Sequence, residues 1–137
     1  MPHLDKQQPL ILAVDHQPET LAELATVLSG AGYRCRLCTT PEDALAATVD
    51  EVPDLIIAEV HLGAASGLEM CERIKQRPAL ADVPVMFLSG TQIPDIIRRS
   101  HAVGGSYYIR KPFDPAVLVE LIEKAVWLPR LCSAQVS

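Results

Sequence analysis

The chain has 137 residues, enough for one domain with its own core. Apolar residues make up 49% of it and aromatics only 4%, so the expected core is aliphatic. Lys and Arg number 12 against 17 Asp and Glu, a formal net charge of −5. Arg98-Arg99 and Arg110-Lys111 are the only adjacent basic pairs, which argues against nucleic-acid binding through phosphate neutralisation.

Residues 1–8 are polar and read as a flexible N-terminus, with no basic region leading into an apolar one, so no secretory signal is expected. No run of about 18 apolar residues predicts a membrane span, and a cytoplasmic protein is the expectation. Leu10–Val14 (LILAV) predicts a buried first strand ending in Asp15-His16. Pro18 fits a helix first turn, Leu21, Leu24, Ala25 and Leu28 recur at helical spacing, and Gly30 and Gly32 stop the helix. Tyr33–Leu37, with Arg34 and Arg36, predicts a strand at the sheet edge. Thr40-Pro41-Glu42-Asp43 combines a cap, a first-turn proline and acids, predicting a helix from 41 to about 50.

Pro53 and Asp54 introduce Leu55-Ile56-Ile57-Ala58, a third buried strand, directly followed by Glu59. A loop of small residues leads to Ser66-Gly67-Leu68-Glu69, with capping-box spacing, and to a helix ended by Pro78. Val85–Leu88 is a fourth apolar run, ending in Ser89-Gly90. A helix is predicted from Pro94 to about Val103, and a fifth strand over Ser106–Ile109, ending in Arg110-Lys111-Pro112. Asp114-Pro115 starts a last helix with Val117, Leu118, Leu121, Ile122, Ala125 and Val126 as its apolar face; residues 128–137 read as a tail or the start of a linker. Five strands alternating with five helices, most strands continuously apolar, predict one α/β domain over 9–127: a five-stranded parallel sheet with helices on both faces.

In such a sheet the carboxyl ends of the strands share one edge, where open α/β sheets place their sites. Asp15, His16, Glu59, Ser89 and Lys111 would converge there. A buried carboxylate needs partners, and Lys111, Ser89 and Asp15 are the candidates for Glu59. Of the cysteines at 35, 38, 71 and 132, Cys35 and Cys38 have metal-pair spacing, but residues three apart on a strand point to opposite faces and no second pair completes a zinc site; reduced thiols are the expectation.

ILAVDH, PDLIIAEVHLGAASGLE, PVMFLSG and GGSYYIRKPF resemble, in order and spacing, the four signature segments of the response-regulator receiver domain of two-component signalling. The resemblance spans about residues 9–127. It implies a flavodoxin-like (βα)5 fold with strand order 2-1-3-4-5. Asp15 then matches one of two metal-binding acids, Ser89 the hydroxyl that bonds the phosphoryl group, Tyr108 the switch aromatic, and Lys111 the ammonium that pairs with the phosphoacceptor. The Lys111-Pro112 bond is implied to be cis. Partners implied are a histidine kinase, a phosphotransfer protein or an effector, docking on the face formed by the fourth helix, fifth strand and fifth helix. In this chain that face includes Ile96, Arg99, Tyr107 or Tyr108, and parts of 117–127, with a homodimer as a further use. Trp127 and Leu128 are candidates for such contacts, although Trp127 is expected to pack back onto the domain.

Three positions depart from the pattern: His16 stands where the second acid usually stands, Gly63 where the loop usually has Pro, and Glu59 where the phosphoacceptor Asp should be. Magnesium leans on carboxylate oxygens in near-octahedral geometry, so a site on Asp15 and Glu59 is expected to be weak or absent, and no other cofactor is expected. Glu59 carries an extra methylene, and an error of about 1 Å in a nucleophile costs about a hundredfold. An atypical receiver, not an enzyme, acting by protein–protein interaction and not phosphorylated at Glu59 is therefore expected. The alternatives are the receiver module of a larger response regulator or hybrid kinase and, more distantly, a small flavin- or phosphate-binding α/β protein; DHQPET lacks the small hydroxyl-rich phosphate cradle the last would need.

Overall fold

The computed structural model describes residues 8–90 and 105–136. Its frame is a parallel sheet of β1 (Leu10–Val14), β2 (Arg34–Cys38), β3 (Leu55–Glu59), β4 (Val85–Ser89) and β5 (Gly105–Arg110). The strands lie in the order β2-β1-β3-β4-β5, the flavodoxin-like topology. Every residue of β1, β3 and β4 is buried, as expected of strands covered on both faces. β2 is largely exposed and forms an edge, with Arg34 and Arg36 ion-paired to Glu51 and Asp50.

The two-residue period of the strands divides the core into two layers. Leu12, Val14, Ile56, Ala58, Val85 and Phe87 face one side, packing with α2 (Pro41–Asp50) and α3 (Gly67–Lys75). Ile11, Ala13, Leu55, Ile57, Met86 and Leu88 face the other, against α1 (Pro18–Gly30) and the last helix (Pro115–Val136). Cys38 falls in the first layer and Cys35 packs on the second, so the two thiols do point apart.

Local signals work as their chemistry dictates. The Thr40 hydroxyl accepts the Asp43 N–H at 3.1 Å and starts α2; the Ser66 hydroxyl accepts the Glu69 N–H at 3.3 Å and starts α3. Gly32, at φ +93°, turns the chain after α1 in a conformation that glycine adopts without strain. The Lys111-Pro112 peptide bond is cis.

The structure departs from the sequence expectations in three places. Residues 61–66 form a small antiparallel hairpin, His61–Leu62 with Ala65–Ser66, where only a loop was predicted; Gly63, at φ +65°, lies at its turn. Pro78–Leu80 is a 3-10 turn. The last helix runs on to Val136, through the stretch read as a tail, because Pro129 weakens the sequence signal for helix but has not ended this one. The predicted helix from Pro94 and the flexible N-terminus (residues 1–7) lie outside the described residues.

Candidate functional site

β1, β3, β4 and β5 end side by side, and each contributes one polar residue to the same edge. Asp15 follows β1 and is fully buried; Glu59 closes β3 and is 4% exposed; Ser89 closes β4 and is fully buried. Lys111 follows β5, its main-chain N–H donating to the Ser89 carbonyl at 2.8 Å. That bond aims the lysine side chain back across the strand ends. Its Nζ lies 2.6 Å from Asp15 Oδ2 and 2.6 Å from Glu59 Oε1, so one ammonium clasps two buried carboxylates.

The other two carboxylate oxygens are held by the main chain. Asp15 Oδ1 accepts the Gln17 N–H at 2.9 Å, at the entrance to α1. Glu59 Oε2 accepts the His61 N–H at 2.9 Å, at the base of the hairpin. Among bonds between described residues, none joins Glu59 to Ser89, one of its candidate partners. The carboxylate bends back to the His61 amide instead. Burial pulls the Lys111 ammonium toward losing its proton, but the hydrogen bonds and charges of Asp15 and Glu59 outweigh burial and raise its pKa above the ordinary lysine value.

Gly67 makes the arrangement sterically feasible. A Cβ at this position would collide with the Glu59 carbonyl oxygen, and the Gly67 N–H donates to the Val60 carbonyl at 2.8 Å. The sequence placed a glycine at the loop's end but not its contact with the backbone of Glu59. It also missed the amides of Gln17 and His61. The signal that could have found them is the two-residue offset from Asp15 and from Glu59, the spacing at which a side-chain oxygen turns back onto the main chain.

His16 stands at the rim, its side chain 41% exposed and its Nδ1 3.7 Å from Asp15 Oδ1. Tyr108 is half-buried and packs on the core layer that holds α2 and α3, while Tyr107 packs on the opposite layer. Val117 and Lys124 are exposed on the last helix. Trp127 does pack back, its Nε1–H donating to the Tyr33 hydroxyl at 3.3 Å, yet it keeps 41% exposure. Ile96, Arg99 and the side chain of Leu128, also named as partner contacts, lie outside the described residues.

The Mg2+ site that the family resemblance implies on Asp15 and Glu59 does not fit this donor set. All four carboxylate oxygens already have donors, two of them from a cation, and the residue after Asp15 is His16, which brings no carboxylate oxygen. Among the described residues, no group of three or more His, Cys, Asp or Glu side chains is placed to hold a metal ion. Cys35 and Cys38 offer no redox pair, since burial raises both thiol pKa values and the side chains point apart. No described helix is long and apolar enough to cross a membrane.

Comparison with known proteins agrees with the geometry. The chain is 35% identical over 109 residues to the phosphate regulon transcriptional regulatory protein PhoB of Pseudomonas aeruginosa, matching 80% of this chain and 48% of that protein. It is 28% identical over 120 residues to the DNA-binding transcriptional regulator NtrC of Salmonella typhimurium, matching 88% of this chain and 25% of that protein. The chain thus spans half or less of the length of these curated relatives. A putative response regulator from Chloroflexus aurantiacus superposes with a TM-score of 0.82 at 28% identity, covering 88% of this chain and 98% of that one. The chemotaxis protein CheY4 of Vibrio cholerae shares the fold, with a TM-score of 0.83 at 24% identity, covering 87% of this chain and 99% of that one. The response regulator receiver domain model matches residues 11–123, and the chain belongs to that family, the receiver of two-component signalling.

Proposed function

We propose that this receiver signals by protein–protein contact without phosphorylation at its usual position. The observation that carries the reading is the Glu59 carboxylate, which reaches both the Lys111 ammonium and the His61 amide from the end of β3. An attacking oxygen must be free and in line, and Glu59 has both oxygens engaged and one methylene more than the aspartate it replaces. A glutamate anchored this way supplies a standing negative charge at the strand ends, with less charge and fewer acceptor oxygens than a phosphoryl group. The pocket is therefore set in one state, and information passes through the surface. The docking face is the one formed by the predicted fourth helix, β5 and the last helix, with Tyr107 or Tyr108 and the exposed Val117 and Lys124. A histidine kinase, a phosphotransfer protein or an effector is the partner, or a second copy of the chain. The setting is the cytoplasm.

The test is incubation with a small phosphodonor and Mg2+, read by intact mass. Native protein stays unlabelled, and label gained by Glu59→Asp supports the reading. Stoichiometric label on native Glu59 would end the proposal. A second reading is that the domain is the receiver module of a larger regulator. One observation favours it: the chain's partial coverage of its relatives. A stop codon directly after that of Ser137 would exclude it.

A further inference from the structure

We infer that Lys111 is the resident cation of this pocket and that the domain is built to work without a divalent metal. The inference rests on the reading above, in that it takes His16 and Glu59 as settled replacements, and it concerns what regulates the same site.

The pocket holds two buried carboxylates and one ammonium. The ammonium lies at 2.6 Å from an oxygen of each. The other two oxygens accept from the amides of Gln17 and His61. Mg2+ needs about six oxygen ligands in near-ideal octahedral geometry and gives up water reluctantly. To enter here it would have to displace a lysine anchored at its main chain to Ser89, or sit beside it against its charge. It would then find an imidazole, which suits softer metals, where another carboxylate would help. The glutamate side chain adds to the exclusion. Its extra methylene lets one carboxylate reach the ammonium and the His61 amide together, so both its oxygens have donors. Lys111 thereby does a metal's structural work, tying the ends of β1, β3, β4 and β5 at one atom and one main-chain bond. The consequence is a receiver whose conformation is indifferent to the divalent cation level.

Thermal melts of the full chain test this, with about 10 mM MgCl2 against EDTA. Native midpoints coincide. The His16→Asp, Glu59→Asp double variant regains a carboxylate pair of ordinary reach, and with millimolar affinity its midpoint rises by about 5 °C in Mg2+. His16→Asp alone gives a smaller rise and serves if the double variant does not fold. Mn2+ with water proton relaxation gives a second readout: enhancement with the variants and none with native protein. A native midpoint that rises as far as the variant's overturns the inference. Midpoints that stay put in native and variant proteins alike overturn the assignment of metal exclusion to His16 and Glu59. Failure here is separable from failure of the phosphorylation reading. Native protein that binds Mg2+ yet takes no label loses only this inference, and native protein labelled on Glu59 loses the other.

Discussion

Replacing Lys111 by Met removes the one cation that faces Asp15 and Glu59 while keeping the length of the stem. Both carboxylates are within 5% of full burial, and both give up a charge-assisted bond of 2.6 Å. Removing one partner of a buried ion pair costs about 3–5 kcal/mol, because the charge left behind is neither paired nor hydrated. Here two charges are left from a single substitution, so Lys111→Met should fall at the top of that range. For a chain of this size the melting midpoint would drop by roughly 15 °C. Urea and thermal unfolding followed by circular dichroism measure it. The pH dependence adds a signature. The folded Lys111 pKa is raised, so its contribution to stability is fully present below the unfolded lysine value and is lost as pH rises through the folded value. Native protein should therefore lose more stability above about pH 10 than the Met variant, which keeps only the alkaline loss carried by the buried thiols and Tyr33. Adding Glu59→Gln to Lys111→Met removes one stranded charge and should recover part of the deficit. A Met variant within about 1 kcal/mol of native at neutral pH would show that the clasp contributes little, and would refute the reasoning.

Other substitutions probe the supports of the pocket. Gly67→Ala forces a methyl against the Glu59 carbonyl, a backbone atom that cannot yield cheaply, and should cost about 2–3 kcal/mol in urea unfolding. Gly32→Ala meets nothing within 4 Å and carries only the strain of a positive φ, so about 1 kcal/mol is expected from the same measurement. Thr40→Ala removes the cap on the Asp43 amide and should cost about 1 kcal/mol. Cys71 is fully buried with its thiol pushed up to about 12; peptide mapping after a brief thiol-reagent pulse should find it unlabelled in native protein and labelled in denaturant.

Much of this molecule follows from local chemistry. Three continuous apolar runs, at Leu10, Leu55 and Val85, each bounded by turn residues, can be little else than strands buried on both faces. Arginines at 34 and 36 likewise mark an edge. Once the strands are parallel, Asp15, Glu59, Ser89 and Lys111 must share one end of the sheet, because each directly follows or closes a strand. The caps at Thr40 and Ser66 are legible because a hydroxyl three residues before an amide acts within one turn of chain.

What tertiary structure alone decided is which of its candidate partners each polar group takes. Lys111 meets Asp15 across 96 residues of sequence, and Trp127 meets Tyr33 across 94. Hydrogen bonding selects among neighbours by tenths of an ångström, and those are set by how the two core layers pack, which no periodicity records. The same holds for Glu59: its type and place are evident from sequence, but its turn toward the His61 amide depends on a hairpin that only the close approach of Gly67 to the β3 backbone allows.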